Sequence, residues 1–157
     1  MTEFRCVPMP TATAERFRAT GVDDAGNALR RVVAAGGGSP CRHCLCLARR
    51  GDVMLLGSYN LPGPLGIYWT PSPIFVHAEP CERFDAANQL PEIVDRYSLV
   101  SVRSYDRDDQ CIYDLGEVLE GNSAEGPLSR AMADPRTKFV NIHTAAPGCL
   151  LCRVERG

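Results

Sequence analysis

The sequence predicts a single α+β domain over residues 1–157, built mainly from an antiparallel sheet with two or three short helices. Short runs of alternating apolar and polar residues recur between glycine- and proline-rich turns, as expected for antiparallel strands. The strand–helix alternation of a doubly wound sheet is missing, and so is a glycine-rich phosphate loop. At 157 residues, the chain is long enough to bury a hydrophobic core.

The predicted elements follow from this pattern. Strands are predicted where alternating or β-branched residues lie between turns, at residues 4–9, 44–48, 53–59, 74–78, 99–105, 111–115, 139–144 and 150–155. Helices are predicted over residues 14–19, with Thr11 or Thr13 as cap, 91–97, and 123–133, with Ser123 as cap. Residues 28–35 fit a strand or a helix. Tight turns are expected at residues 49–52, 106–110 and 145–148, each joining a hairpin.

The composition is that of an ordinary globular protein, with 45% hydrophobic and 23% charged residues and a formal net charge of −2. No long basic run is present, so we expect neither nucleic acid nor a membrane surface as partner. The N-terminus lacks signal-peptide features, and no apolar run approaches the ~20 residues of a membrane helix. We therefore expect a cytoplasmic protein. The sequence does not indicate its oligomeric state.

Eight cysteines in a reducing compartment indicate metal ligands, reactive thiols or buried apolar positions before disulfides; export would instead allow four bridges. Cys41 and Cys44 have a CxxC spacing, which lets two thiolates bind one tetrahedral ion from a single turn. His77 and Cys81 follow in an HxxxC spacing and complete a Cys₃His set typical of zinc. The alternative is that these are loop cysteines and a buried histidine without metal.

The second CxxC pair, Cys149 and Cys152, is not expected to complete a zinc ribbon. Two leucines fill the gap, and the segment is predicted to be a strand, so the two side chains point to opposite faces. At most one of them can share a site, and Cys149 beside the Pro-Gly turn is the better candidate. We expect the other cysteines to be small buried apolar residues; they are Cys6, Cys46, Cys111 and Cys152.

Thiol redox chemistry is a further alternative, because Arg42 and His43 would lower the pKa of a thiol in the Cys41–Cys44 loop. A thioredoxin-type site, however, places its CxxC at a strand-to-helix junction. Here a predicted strand follows, and no helix dipole is available.

A second constellation suggests binding of a small anion. In the predicted strand at residues 99–105, Arg103 and Tyr105 alternate onto the face opposite Val100 and Val102. With Asp106, and with His77 and His143 on the same side, they would form a cationic pocket for a carboxylate or phosphate. The alternative is that these are solvated strand residues and two structural histidines.

Taken in order, several stretches resemble a bacterial family catalogued as domain of unknown function 1203. They are Pro40-Cys-Arg-His-Cys-Leu45, Pro73-Ile-Phe-Val-His-Ala78 with Cys81, Arg103-Ser-Tyr-Asp106, and His143 with Gly148-Cys149 and Arg153. The resemblance spans nearly the whole chain and implies a single-domain, soluble bacterial protein without an assigned activity. It includes Cys149, whereas Cys46 and Cys152 look particular to this chain. Ser72 stands where the family pattern has a glycine.

The sequence therefore favours a small cytosolic protein with a Cys/His site that serves structure or ligand binding, with zinc as the expected cofactor. A metal-free module that binds a small anionic ligand through Arg103, Tyr105, Asp106, His143 and Cys149 is the first alternative. A thiol-based oxidoreductase is the second. An enzyme would need a base and an oriented nucleophile, for which the sequence offers only His77 or His143 against Cys41 or Cys44. The sequence therefore does not decide whether the protein is an enzyme and assigns no catalytic residue.

Overall fold

The computed structural model describes residues 2–157 and shows, over that range, three helices and eight strands in two antiparallel sheets. The predicted α+β class is confirmed. The strands are β1 (Phe4–Val7), β2 (Arg30–Val33), β3 (Val53–Asn60), β4 (Pro71–His77), β5 (Val100–Tyr105), β6 (Glu117–Leu119), β7 (Phe139–Thr144) and β8 (Leu150–Arg156). The helices are α1 (Thr11–Thr20), α2 (Glu92–Asp95) and α3 (Glu125–Ala133). Short 3₁₀ turns lie at Gly66–Tyr68, Tyr113–Leu115 and Gly121–Ser123.

The larger sheet has five strands in the order β1-β8-β7-β5-β6, and the smaller has the order β2-β3-β4. β7 and β8 form the hairpin that the sequence predicts, with a register shift between Ile142 and His143. Residues 28–35, which fitted either structure, contain the edge strand β2, paired with β3 from Arg30 opposite Leu56 to Val33 opposite Val53.

Each sheet has its own apolar core. The five-stranded sheet packs against α2 and α3 around buried residues such as Ile93, Leu128 and Ile142. The three-stranded sheet packs against α1, whose Phe17 is fully buried, and this second core also contains Cys41.

A few polar contacts join the two sheets. The Leu150 amide on β8 donates to the Ser72 hydroxyl on β4 (2.9 Å), and the Leu150 carbonyl accepts from the Arg42 guanidinium (2.6 Å). Ser72 is buried and lies within β4, so the serine at this position supplies a link that glycine could not. These bonds fix the start of β4, and with it the direction in which β4 carries His77.

Three local predictions are wrong. Residues 44–48 form a loop instead of a strand, because Leu45 has a left-handed backbone (φ 55°) and the Cys41 amide bonds back to the Cys46 carbonyl. Residues 111–115 pair with β5 only at one bridge, from Cys111 to Tyr105, before the 3₁₀ turn; the strands that pair with β5 are β6 and β7.

The predicted helix caps are the third error. Neither α1 nor α3 has a side-chain cap: α1 begins directly after Pro10, and Ser123 belongs to the preceding 3₁₀ turn. At its other end, α1 stops at Gly21, whose left-handed backbone (φ 66°) directs its amide to the Phe17 carbonyl.

Within the described part of the chain, no helix combines the length and apolar character needed to cross a membrane.

Candidate metal site

A closed turn presents the first two sulfur atoms. The Cys41 carbonyl accepts from the Leu45 amide and the Cys41 amide donates to the Cys46 carbonyl, both at 3.0 Å. The amide of Cys44 faces the sulfur of Cys41, and the amide of Cys46 faces the sulfur of Cys44. Amides directed at sulfur stabilise thiolates, which are the form that binds metal.

β4 brings the other half of the site to this turn. Cys41 bridges in parallel with Phe75, and the Arg42 amide donates to the Phe75 carbonyl (3.0 Å), so the turn lies beside the end of β4. His77 is the last residue of that strand, and Cys81 lies on the loop that follows it. The HxxxC spacing thus gives the chain enough residues to turn after β4 and place the Cys81 sulfur beside the His77 ring.

The four ligand atoms form one cluster. The sulfurs of Cys41, Cys44 and Cys81 and a ring nitrogen of His77 all lie within 4.8 Å of one another. The Cys41 and Cys81 sulfurs are 3.9 Å apart, and the Cys44 sulfur lies 3.6 Å from Nδ1 of His77. Around tetrahedral zinc, bonds of about 2.3 Å to sulfur and about 2.1 Å to nitrogen give S···S and S···N edges of about 3.8 and 3.6 Å. The cluster therefore has the dimensions of a site that could hold such an ion.

His77 is oriented from its far side by a carboxylate. Its Nε2 lies 3.3 Å from Oδ2 of Asp52, and that same oxygen accepts from the Arg49 amide (2.8 Å). A proton on Nε2 leaves the Nδ1 lone pair directed at the sulfurs. Carboxylate–histidine pairs of this kind fix the tautomer and ring position of metal-binding histidines.

Cys81 receives two donors from other parts of the chain. Nη2 of Arg18 lies 3.5 Å from its sulfur, and Nδ1 of His43 lies 3.2 Å from it. The other His43 nitrogen, Nε2, is 2.8 Å from the Thr11 hydroxyl, so a neutral ring donates to sulfur and accepts from threonine. Burial lowers the pKa of His43, which favours this neutral form. A divalent ion with three thiolates keeps one net negative charge, which Arg18 offsets.

These surrounding residues were not predicted from the sequence. Thr11 and Arg18 lie far from the cluster cysteines along the chain. Asp52 follows the CxxC loop closely, but no local pattern marks any of the three. His43 sits inside the CxxC loop, but the sequence suggested only that it would act on a neighbouring thiol; its contact is with Cys81.

Without an ion, protonation of the three cluster thiols is coupled to protonation of the His77 imidazole. The pKa of Cys41 is lowered by hydrogen bonds from Cys44 and Cys81, whereas the pKa of Cys44 is raised by its hydrogen bonds to Cys41 and Cys81. Hydrogen bonding to Cys41 and then to Cys81 raises the pKa of His77 to about 10. These shifts favour a thiolate beside an imidazolium in the metal-free site, and an ion would displace the protons that the cluster holds.

The second CxxC does not join the cluster. Cys152 is buried, its pKa raised well above the ordinary value by hydrogen bonding with Cys6 and by burial, while Cys149 is half-buried at the end of the β7–β8 turn. Of the cysteines expected to be buried, Cys6 and Cys152 are; Cys46 is exposed and Cys111 half-buried, so those two expectations are wrong. Both lie on irregular loops instead of strands, and the core does not reach them.

The predicted anion constellation is brought together only in part. Arg103 and Tyr105 do share a face opposite Val102, and His143 joins that face because it pairs with Ser101 in the register of β5 and β7. His77 lies in the metal cluster instead, since β4 belongs to the other sheet.

Asp106, His143 and Cys149 make local contacts. The Asp106 carboxylate accepts from the Asp108 and Gln110 amides and closes its own turn. His143 donates from Nδ1 to the Gly148 carbonyl (2.9 Å), and burial, with Arg103 nearby, lowers its pKa to about 4. Cys149 donates its amide to the Thr144 hydroxyl.

Fold and site together define an α+β protein with a Cys₃His cluster that could hold a metal ion. The chain belongs to the family described as protein of unknown function DUF1203, whose model matches residues 38–156. That match includes all four cluster residues and excludes β1, α1 and β2, and with them Thr11 and Arg18. Comparison with curated proteins and with solved structures finds no significant match.

Proposed function

We propose that the chain is a zinc protein in which Cys41, Cys44, His77 and Cys81 bind one Zn²⁺. The observation that carries this proposal is the convergence of three sulfurs and one imidazole nitrogen within 4.8 Å, with two edges close to those of a zinc tetrahedron. Three thiolates with one imidazole select zinc over magnesium, calcium and manganese, which prefer oxygen ligands.

The metal serves structure in this proposal. Four protein ligands fill a tetrahedral ion, whereas catalytic zinc keeps one position for water or substrate. The ion would join the end of β4, the following loop and the Cys41–Cys44 turn at the margin of the smaller core. Arg18 would tie α1 to the same point, because it also donates from Nε to the His77 carbonyl (2.9 Å).

A reducing compartment such as the cytoplasm fits this function. None of the eight cysteines forms a disulfide, and thiols left unpaired, such as that of the exposed Cys46, are typical of a reducing compartment. A bacterial cytoplasmic origin is part of the proposal on this ground and on the family resemblance.

Cobalt substitution tests the ligand set. The metal-free chain is titrated with Co²⁺, and we expect intense visible absorption of tetrahedral cobalt together with thiolate charge-transfer bands in the near ultraviolet. Cys81→Ser should weaken both, while Cys111→Ser, outside the cluster, should change neither. A weak octahedral cobalt spectrum in the wild-type chain would refute the proposal.

A small-anion site at Arg103 and Tyr105 is the second candidate. Both residues line one groove of about 440 Å³ together with Thr70 and Tyr68, and within residues 2–157 no carboxylate lies in ion-pair distance of Arg103. Arg103→Ala should abolish binding of a small anion there and leave zinc content unchanged. Thiol oxidoreductase activity has less support, since no helix follows Cys44 to lower its pKa.

A further inference from the structure

A cavity of about 220 Å³ lies where the two sheets meet, away from the four cluster residues. We call it the inter-sheet cavity. Its polar lining comes from the end of β3, the loop before α2, and the paired strands β7 and β8: Tyr59, Arg83, Asn141, Arg153 and Glu155, with Arg42 from the cysteine turn. The volume is below that of a pocket for a drug-sized ligand, so its occupant is a small molecule.

The charge around this cavity is unbalanced. Arg42 is 3% exposed and donates to the carbonyls of Leu150 and Pro40, yet no carboxylate of residues 2–157 lies in ion-pair distance of it. Arg83 likewise donates only to backbone carbonyls. Glu155 lies 2.7 Å from Nε of Arg153 and is the single acid in the lining. Buried arginines are normally paired with an anion, and the buried Arg42 has none; Arg153 is half-buried and Arg83 is exposed.

Polar groups held in fixed positions also line the inter-sheet cavity, beside the arginines. Asn141 is 1% exposed and donates from Nδ2 to the Gly63 carbonyl (3.1 Å), while its Oδ1 has no partner. Arg153 stands directly opposite Asn141 in the β7–β8 register, so both side chains point to the same face. Its guanidinium stacks on the Phe139 ring at 3.8 Å, which holds it in place. Unsatisfied buried oxygens are rare and call for a donor.

The rest of the lining is apolar. It comes from Val7, residues 8–10 and Pro62, and from Leu150, Leu151 and Cys152 on β8. A hydrated inorganic anion gains nothing from such walls, whereas a hydrocarbon group does.

We propose that the inter-sheet cavity binds a small organic carboxylate that carries an apolar group and one hydrogen-bond donor. Arg83 and Arg153 bind the carboxylate, and Arg42 supplies further positive charge from the wall of the cavity. The Asn141 oxygen accepts from a hydroxyl or amino group on the ligand, and Tyr59 lines the cavity beside it. The site is distinct from the zinc cluster and from the Arg103 groove.

Ligand binding is measured on the full metal-loaded chain by calorimetry and ligand-observed NMR. The probes are mandelate, lactate and leucine, which have all three features, with mandelamide and lactamide as uncharged counterparts and inorganic phosphate as a bare anion. We expect saturable binding of at least one acid and about tenfold or more weaker binding of its amide. Equal binding of acid and amide, tighter binding of phosphate than of every acid, or no acid binding at millimolar concentration would overturn the proposal.

Two variants locate the site. Arg83→Met and Arg153→Met should each weaken acid binding about tenfold or more, whereas Arg107→Met, an exposed arginine outside the cavity, should leave it unchanged. Circular dichroism and zinc content confirm that each variant is folded. Because Arg83 lies on an exposed loop, Arg83→Met alone tests the site if Arg153→Met does not fold. Acid binding that survives both changes places the ligand elsewhere. A zinc-loaded chain that binds no acid overturns this inference and leaves the zinc proposal standing.

Discussion

Replacing Cys44 by serine is expected to remove the metal and its contribution to stability. An ion bound only by the folded chain stabilises it by about 4 kcal/mol when free zinc is a thousandfold above its dissociation constant. In a chain of 157 residues, each kcal/mol moves the melting temperature by about 2–4 °C. Loss of the ion therefore predicts a fall of about 8–16 °C in zinc-containing buffer.

Cys46→Ser is the matched control, because it makes the same chemical change two residues further along the same loop. The Cys46 side chain is exposed, and its sulfur donates to the Cys44 carbonyl (3.5 Å). We expect its effect to stay within about 0.5 kcal/mol, or about 2 °C.

Thermal unfolding is followed by circular dichroism with zinc and with chelator. The wild type and Cys46→Ser should lose stability on chelation, and Cys44→Ser should respond to neither addition. Equal melting temperatures for the two variants, or a wild-type melting temperature that chelator leaves unchanged, would refute the assignment of Cys44 as a ligand.

Three further predictions concern other residues. Asp52→Asn weakens zinc binding about 10- to 100-fold in a competition assay, because the histidine loses its charged partner, whereas Asp95→Asn on the exposed side of α2 has no effect; equal affinities would contradict this. Gly121→Ala destabilises the fold by about 1–3 kcal/mol or more in urea unfolding, since a Cβ there would lie 1.9 Å from a backbone carbonyl of α2; a stability unchanged within error would show that the helix can move aside. The pKa of His143 is about 4 in the folded chain against an ordinary 6.5, so the unfolded chain binds more protons in this range, and stability falls by about 3 kcal/mol as pH drops from 6.5 to 4. His143→Asn keeps a donor for the neighbouring carbonyl and should flatten that part of the pH dependence; a slope identical to wild type would exclude this histidine as its source.

Much of the fold could be predicted from local sequence. The β7–β8 hairpin is marked by two apolar runs around Ala-Ala-Pro-Gly, and β3 by alternating residues after a Gly-Asp turn. What failed has two causes, strand partners distant in sequence and a turn that closes on itself. The partners of β3 are β2 and β4, and the segment at 44–48 is kept from pairing by hydrogen bonds within its own turn.

The cluster residues could be predicted because two short spacings mark them. CxxC places Cys41 and Cys44 in one turn, and HxxxC places Cys81 one loop beyond His77, so only the meeting of two segments had to be inferred. Sequence spacing could not show that Asp52 supports the histidine, because that contact follows from the pairing of β3 with β4. The identity of the metal stays a prediction.

Elemental analysis of the chain, purified without chelator or a metal-affinity tag, tests the central claim most directly when combined with a count of reactive thiols. We predict about one zinc per chain, with Cys41, Cys44 and Cys81 protected from alkylation until chelator is added and the exposed Cys46 reacting first. A chain without metal whose three cluster thiols react as readily as Cys46 would contradict the account. It would leave the cluster as a group of free cysteines beside a histidine.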